Sequence, residues 1–380
     1  MAALTWVVIG LLVAFTARRC ALLAGALLPS RQMHDTAVPT VLVAVAAHNE
    51  AWQIEPLLRA LEQLDYPADK LWFALVSDGS RDQTAILCQR WCQNHPRATA
   101  HALIDQVGKA AALNEALRIG PAMELLAVYD ADQRPRADSL RRLVQAFGDA
   151  RVGAAAGYRS PSNADRDMVS QYAALETWVH QLVVLAGKER WGWNPPTMGG
   201  NCVYRVAAIV ELGGFQARTA TEDIEVSLAL IAGGWRTRFV RDAVADNRVG
   251  ESLRHYLSQR VRWAYGMYGA GSRARSIESY AVASGYADRL VFASAGVLAV
   301  AGQMSAAWPA AYLSTALLQV LVALARAGRL RRAPRYLLGA VPMFLLDIAS
   351  TAYATALTLV QRQPRWTQPE EATRSESIPS

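Results

Sequence analysis

Short apolar runs alternate with amphipathic, helix-like stretches through the first half of the chain. Val41–Ala47, residues 71–76 and Leu125–Tyr129 are continuously apolar, and residues 100–104 and 153–158 have the composition of further strands. Runs without polar positions are typical of parallel strands that are buried on both faces. Because helical patterns separate these runs, the sequence predicts an α/β domain with a mainly parallel sheet.

A longer apolar stretch lies at the N-terminal end of the chain. Residues 2–17 carry no charge, and Arg18 and Arg19 follow them. We predict one spanning helix here with its arginine end in the cytoplasm, and residues 20–28 continuing into or along the interface. A cleaved signal peptide is disfavoured, because no Lys or Arg precedes the apolar run.

Three more apolar runs follow near the C-terminal end, at residues 290–308, 310–325 and 336–360. Pro309 separates the first two, and five arginines separate the second from the third. The positive-inside rule puts those arginines in the cytoplasm. Asp347 is the one charge in the third run, and it is either a residue of a transport pathway or a contact inside the helix bundle.

The pattern divides the chain into five segments on or across a cell (inner) membrane. They are an N-terminal transmembrane or interfacial helix (1–28), a cytosolic α/β domain (29–250), interfacial helices (251–289), C-terminal transmembrane helices (290–360) and a disordered tail (361–380). This multi-pass arrangement keeps the α/β domain cytoplasmic and leaves the tail on the other side.

Acidic side chains follow three of the predicted strands. Glu50 comes after the first strand, Asp78 after the second, and Asp130 and Asp132 after the strand that ends at Tyr129. Ligands of parallel sheets bind outside the carboxyl ends of the strands, so we expect one polar rim. The i, i+2 spacing of the aspartates puts both on one face, where they can hold a hard cation. Taken alone, the pair could equally be an acidic turn.

Composition and absent motifs exclude several classes of protein. No Gly-x-Gly-x-x-Gly follows the first strand and no P-loop occurs, which argues against a dehydrogenase and against a kinase or ATPase. The four cysteines are too scattered for a disulfide framework, and Cys88 and Cys92 have no second pair to complete a zinc site. The net charge is +7, and the arginines cluster near apolar segments, which favours anionic membrane lipids over nucleic acid as partners.

Six short motifs occur in a fixed order between about residues 39 and 268. They are residues 45–50 (Val-Ala-Ala-His-Asn-Glu), 77–80 (Ser-Asp-Gly-Ser), 108–114 (Gly-Lys-Ala-Ala-Ala-Leu-Asn), 130–132 (Asp-Ala-Asp), 221–223 (Thr-Glu-Asp) and 259–263 (Gln-Arg-Val-Arg-Trp). With these motifs the chain resembles the family 2 glycosyltransferases, in the membrane-embedded branch that includes cellulose, chitin, hyaluronan and poly-N-acetylglucosamine synthases. The resemblance implies a GT-A-type nucleotide-sugar-binding domain, and the apolar runs add one N-terminal and three C-terminal transmembrane helices to it.

The resemblance assigns roles to the acidic rim. Asp130 and Asp132 would bind Mg²⁺ or Mn²⁺, which neutralises the leaving diphosphate. Asp78 would contact the nucleoside, with an Asx turn before Gly79 as the alternative. Glu50 would act similarly or cap the next helix, and Lys109 would face a phosphate or remain solvated.

The last two motifs would work on the acceptor side and on the diphosphate. Asp223 would be the general base, although the sequence does not exclude Glu222, and both acids also suit a helix N-terminus capped by Thr221. Gln259, Arg262 and Trp263 form the basic, aromatic element. Arg262 suits a diphosphate or a lipid headgroup, and Trp263 suits a sugar ring or the aromatic belt. The loop at 198–202 resembles the acceptor-side loop of the family only loosely.

Together these features predict an inverting, metal-dependent hexosyltransferase that moves a sugar from a UDP-sugar to a growing polysaccharide at the membrane. Transfer of one sugar to a lipid acceptor is the main alternative, because the predicted spans are few for a wide translocation path. A non-catalytic membrane scaffold would be expected to lack one of the aspartates of the motifs. All four of them are present: Asp78, Asp130, Asp132 and Asp223. A nucleotidyltransferase is disfavoured because no phosphate-cradling glycine loop opens the domain.

Overall fold

The computed structural model describes residues 2–31, 38–216, 222–250, 252–274 and 277–360, with the backbone alone between 270 and 283. The predicted tail at 361–380 and the predicted N-cap at Thr221 lie outside the described residues.

Eight strands form one mixed, mostly parallel sheet in the order β3-β2-β1-β4-β7-β6-β8-β5. The strands are β1 (Val41–Ala47), β2 (Leu71–Asp78), β3 (Ala98–Leu103), β4 (Leu125–Tyr129), β5 (Gln133–Pro135), β6 (Val152–Pro161), β7 (Cys202–Arg205) and β8 (Arg236–Asn247). β1 pairs in parallel with β2 and β4, β2 with β3, and β6 with β8, whereas β7 lies antiparallel between β4 and β6, and β5 lies antiparallel to β8.

Thirteen α-helices occur in the described part of the chain. They are α1 (Ala2–Leu27), α2 (Ala51–Glu62), α3 (Thr84–Gln93), α4 (Lys109–Ile119), α5 (Ser139–Val144), α6 (Met168–Trp178), α7 (Ala186–Trp191), α8 (Val206–Glu211), α9 (Glu222–Ala232), α10 (Leu253–Ala274), α11 (Ile277–Val300), α12 (Ala307–Arg326) and α13 (Ala333–Leu359). A π-helical segment, Val179–Leu185, joins α6 to α7.

Both faces of the central strands are covered by helices. In β1, Val43 belongs to a hydrophobic cluster with Leu57 of α2, and its neighbour Ala44 belongs to a cluster with Leu113 of α4 on the opposite face. Successive side chains of a strand point to opposite faces, so an apolar residue is needed at every position. This explains why β1 and β4 could be read directly from the sequence.

Three strands escaped the sequence prediction. β5 and β7 have only three and four residues, and β8 mixes charged with apolar positions. β8 contains Arg236, Arg238 and Arg241, and it pairs with the three-residue β5 on its outer side. Such a strand lacks the continuous apolar run that marks a central parallel strand. After β6 the chain is helical over a long stretch, because α6, the π-helical segment and α7 together run from Met168 to Trp191.

Within the described residues, three helices are long and apolar enough to cross a membrane: Ala3–Leu27, Ala307–Arg326 and Leu330–Leu359. They are the predicted N-terminal helix and two of the three predicted C-terminal helices, and α11 is the third helix of the C-terminal region. The predicted run at 290–308 is corrected, because α11 ends at Val300 and a turn precedes α12. Pro309 therefore does not interrupt a span but lies in the first turn of α12, where no intrahelical N–H bond is lost.

The N-terminal helix does not end at its arginines. α1 continues to Leu27, and Arg19 forms an ion pair with Asp288 of α11 at 2.7 Å. Asp347 of α13 is fully buried and accepts a hydrogen bond from Nε of Arg289. Asp288 and Asp347 therefore form contacts between helices inside the bundle, which was one of the two alternatives for Asp347.

A close crossing fixes α1 against α7 of the α/β domain. A Cβ atom on Gly187 would lie 2.2 Å from the carbonyl oxygen of Leu22, and one on Gly25 would lie 2.5 Å from Nε1 of Trp191. Small residues allow two helix backbones to approach in this way. The N-terminal helix is thus packed directly onto the segment that leads into the candidate site.

Candidate active site

The carboxyl ends of β1, β2 and β4 form the predicted polar rim. Asp130 follows β4 and accepts a hydrogen bond from Nζ of Lys109 at 2.5 Å. Lys109 is the first residue of α4, and its Nζ also lies 3.6 Å from the carboxylate of Glu222 in α9. Burial alone would lower the pKa of Lys109, but these carboxylates raise it, so the amine stays protonated.

Two further carboxylates of the rim, Glu50 and Asp132, have raised pKa values. Burial raises the pKa of Glu50 to about 7, and the nearby charges of Asp132 and Asp130 add to the shift. Burial and the charge of Asp130 likewise raise the pKa of Asp132 to about 6, against the opposing effect of Arg159. Negative charge is therefore in excess at this point, and a divalent cation would relieve it.

The donor set fits a hard metal ion that is shared with a substrate. Asp130 and Asp132 offer carboxylate oxygens, which are the ligands that Mg²⁺ and Mn²⁺ prefer. Among the described residues, no group of three or more His, Cys, Asp and Glu side chains could hold a metal by itself. Mg²⁺ commonly takes one or two protein carboxylates and completes its shell with phosphate and water oxygens. The pair thus fits a metal bound together with a nucleotide.

Asp78 holds the backbone that leads into Lys109. Its two carboxylate oxygens accept hydrogen bonds from the amides of Val107 at 2.7 Å and Gly108 at 2.9 Å. A carboxylate has about four acceptor sites, so two remain for a ligand. The role of Asp78 in nucleoside binding stays a prediction, and its contact with the 107–108 loop adds a positioning role that the sequence did not indicate.

Asp223 lies close to the rim, beside Gly199. It is the second residue of α9, and a Cβ atom on Gly199 would lie 3.4 Å from its Oδ2, 3.3 Å from Nζ of Lys109 and 3.9 Å from Oδ2 of Asp130. The three side chains therefore converge on one point of the loop before β7. Gly199 has a φ of +84°, which favours glycine, and so the loop can approach this closely.

The environment of Asp223 suits a general base. Burial raises the pKa of this carboxyl to about 6, the neighbouring charge of Glu222 raises it further, and Lys109 opposes both. A base is most effective when its pKa lies near the working pH. The loop is fixed on α9 by Thr197, whose amide donates to Oγ of Ser227 at 2.8 Å and whose hydroxyl donates to the carbonyl of Asp223 at 3.2 Å.

The predicted basic element on α10 has a different arrangement. Arg262 is exposed, and neither it nor Gln259 forms a hydrogen bond or ion pair with the rim within the described residues. Arg260 is the buried arginine: it lies 3.0 Å from Glu176 of α6 and stacks on the ring of Trp263. Trp263 therefore contacts Arg260 in this structure. Ligand binding by Gln259, Arg262 and Trp263 stays a prediction.

Sequence reasoning missed two residues of the site. Arg159 on β6 affects the pKa of both Asp132 and Asp223, and its buried Nε has no hydrogen-bond partner among the described residues. Gln133 donates to Asp130 at 3.4 Å and accepts from the Asp130 amide at 3.2 Å. Arg159 had no motif around it, and its one signal was an arginine near the carboxyl end of a strand.

The fold has a solved counterpart. The mannosyltransferase PcManGT from Pyrobaculum calidifontis, in complex with GDP-Man and Mn²⁺, superimposes with a TM-score of 0.65 at 24% identity, over 95% of this chain and 98% of that chain. This likeness confirms the predicted GT-A-type fold.

Curated relatives match over the same central region. The probable glycosyltransferase YdaM of Bacillus subtilis is 28% identical over 60% of this chain, and the UDP-forming cellulose synthase catalytic subunit of Pseudomonas fluorescens is 30% identical over 60% of it. The matches span 55% and 31% of those proteins, respectively. The model of a family described as glycosyltransferase like family 2 matches residues 39–266. The chain therefore belongs to glycosyltransferase family 2, as its six motifs predicted.

Proposed function

We propose that this protein is an inverting, metal-dependent hexosyltransferase that uses a nucleotide-activated sugar. The observation that carries the proposal is the convergence of the side chains of Asp130, Lys109 and Asp223 around Gly199. The donor is expected to be a UDP-sugar, although the similar mannosyltransferase was solved with GDP-Man.

On the donor side of the site, the carboxylates of the rim give an excess of negative charge. Asp130 and Asp132 would hold Mg²⁺ or Mn²⁺, which supplies Lewis-acid neutralisation of the leaving diphosphate. Lys109 brings a fixed positive charge to the same place, and Asp78 fixes the start of its helix. Preorganised charges of this kind stabilise a leaving group without further reorganisation.

The acceptor side is Asp223. Its carboxylate takes the proton of the acceptor hydroxyl while that oxygen forms a bond to the anomeric carbon and the bond to the diphosphate oxygen breaks. Attack from the face opposite the leaving group inverts the configuration. The pKa of about 6 leaves Asp223 ionised at neutral pH and ready to accept that proton.

The acceptor is proposed to be a growing polysaccharide at the cytoplasmic face of the cell membrane, with residues 29–250 as the catalytic domain and 251–289 as interfacial helices. One observation favours a lipid acceptor as the second candidate. The described part of the chain has only three helices that are long and apolar enough to span a membrane by themselves. A small number of membrane spans is compatible with an acceptor that reaches the site from the bilayer surface.

The test is transfer from a panel of labelled UDP- and GDP-sugars in membranes that contain the full chain. We expect label to enter product from one UDP-sugar, and we expect EDTA to stop transfer and Mn²⁺ or Mg²⁺ to restore it. Long products on a gel support the polysaccharide, and a single organic-soluble product supports the lipid acceptor. Full transfer in EDTA would refute the metal assignment, and retention of the anomeric configuration would refute inversion.

A further inference from the structure

A small cavity that opens to solvent lies away from the rim, where α1, α7, β8 and α12 meet. Three arginines from three different elements line it: Arg190 at the end of α7, Arg241 on β8 and Arg326 at the end of α12. Ala26 near the end of α1 forms part of the opposite wall. None of these residues belongs to the six motifs.

The positive charge of this cavity is not matched by its one acidic residue. Glu189 also lines the cavity, but its carboxylate accepts hydrogen bonds from Nε of Arg238 at 2.7 Å and from the amide of Phe239 at 2.9 Å. Arg190 has a buried Nε without a hydrogen-bond partner among the described residues. A buried, unsatisfied guanidinium nitrogen is costly, and an anion would satisfy it.

The other two arginines are also poorly neutralised. Arg326 donates to backbone carbonyls, Leu182 at 3.0 Å and Ala26, and these carry only partial charge. Arg241 lies 3.5 Å from Asp242, which is largely exposed to solvent. An exposed ion pair of this kind contributes little. The cavity therefore keeps most of the charge of its three guanidinium groups.

The position of the cavity matches the surface of a membrane. The candidate spans Ala3–Leu27 and Ala307–Arg326 both end beside it. The indoles of Trp191 and Trp193 are 42% and 47% exposed close by, and Nε1 of Trp191 donates to the carbonyl of Ala21 at 2.7 Å. Tryptophan is enriched at the level of lipid headgroups, and arginine binds phosphate through its planar fork.

We propose that this cavity is a phosphate-binding site at the membrane surface, formed by Arg190, Arg241 and Arg326. The phosphate is carried by an anionic phospholipid headgroup or by a free phosphate compound of the cytoplasm. Arg190 of this site lies on α7, which leads into the loop that holds Gly199. A phosphate bound here therefore contacts the segment that leads into the rim.

The experiment measures ligand-dependent thermal unfolding of the full-length protein in detergent. The probes are short-chain dioctanoyl phosphatidylglycerol and glycerol 3-phosphate, titrated separately. We expect saturable stabilisation, and an affinity about tenfold or more weaker in the double variant Arg190→Gln/Arg241→Gln, because charge-assisted hydrogen bonds are lost. The matched control is Arg254→Gln/Arg331→Gln, which removes the same charge from two exposed positions.

The two probes separate the two sources of phosphate. Stabilisation by phosphatidylglycerol alone assigns the site to lipid, and equal affinity for glycerol 3-phosphate assigns it to a free phosphate compound. Unchanged affinity in the cavity variant, or an equal loss in the control variant, would overturn the proposal, as would no saturable stabilisation by either probe. If the double variant does not fold, Arg190→Gln alone provides the same comparison, because it leaves the Arg326 and Arg241 contacts in place.

Discussion

Charged side chains are buried in two regions of the molecule, and the two regions balance charge differently. In the helix bundle, Glu176 of α6 lies 3.0 Å from Arg260 and 3.3 Å from Arg289, and Arg289 also contacts Asp347. Each of these carboxylates therefore has an arginine partner. The pairs join α6, α10, α11 and α13 and contact no candidate substrate group.

The rim has the opposite balance. Burial raises the pKa of Glu50 and the pKa of Asp132, and neighbouring carboxylates add to both shifts, whereas Lys109 pairs directly with Asp130. A buried charge without a partner is costly, so a protein retains such a group where a ligand supplies the partner. The comparison separates paired charges, which join helices, from the unbalanced charges of the rim, for which we propose a role in binding the reacting groups.

The largest expected effect is the loss of the base. Asp223→Asn keeps the shape of the side chain but cannot accept the proton of the acceptor hydroxyl. We expect turnover of a labelled donor to fall about 10²- to 10⁴-fold, with nucleotide affinity unchanged by calorimetry. Asp69→Asn, at an exposed carboxylate beyond the opposite end of β2, is the control. Substantial turnover in Asp223→Asn would show that another group, such as Glu222, is the base.

The paired region should respond in stability rather than in chemistry. Arg289→Ala leaves Asp347 buried without its partner, and we expect a loss of about 3–5 kcal/mol in the free energy of unfolding. The double variant Arg289→Met/Asp347→Leu removes both charges and should regain most of that stability. Unfolding in detergent measures both variants. A single variant as stable as the parent would mean that the pair is not structural.

Arg159 tests whether a cation at the rim acts on substrate. Arg159→Gln removes a guanidinium whose Nε has no partner, so little stability should be lost. We expect kcat/KM to fall about 10- to 100-fold, which is the value of a charge-assisted hydrogen bond to a bound anion. Arg159→Lys should restore part of the activity. Arg136→Gln, at an exposed arginine paired with Asp246, is the control, and equal kinetics in both glutamine variants would exclude a substrate contact for Arg159.

Most of the fold could be predicted because its central strands are apolar on both faces. β1 and β4 have the predicted bounds. β8 could not be found, because its arginines serve contacts that only the tertiary structure creates, such as that of Arg238 with Glu189. The predicted span at 290–308 failed for a related reason. Hydropathy does not report the turn after Val300.

The residues of the site also differ in how well the sequence predicted them. Asp130, Asp132 and Asp223 lie in short motifs, so their types and order predicted a shared function. Gly199 lies in a loop whose resemblance to the family is loose, and Arg159 is a single arginine on β6 without a motif around it, so both left only a weak signal in the sequence. A residue of the site could be predicted when the other residues of its motif are near it in the chain.

The smallest expected effect concerns pH, and it separates the base from its neighbour. Burial and the charge of Glu222 raise the pKa of Asp223 to about 6, so the base is increasingly protonated below that pH and kcat should fall about tenfold per pH unit there. Glu222→Gln removes a negative charge beside Asp223. The pKa of Asp223 should then drop, and activity should persist to lower pH.

The pH dependence of kcat in the parent, in Glu222→Gln and in the remote control Asp69→Asn measures this shift. The control should keep the acid limb near pH 6, because its carboxylate is exposed and far from α9. If the limb disappears in Glu222→Gln instead of moving, Glu222 is itself the titrating base. If the limb moves down, the charge of Glu222 tunes Asp223 by raising the basicity of the group that takes the proton of the acceptor hydroxyl.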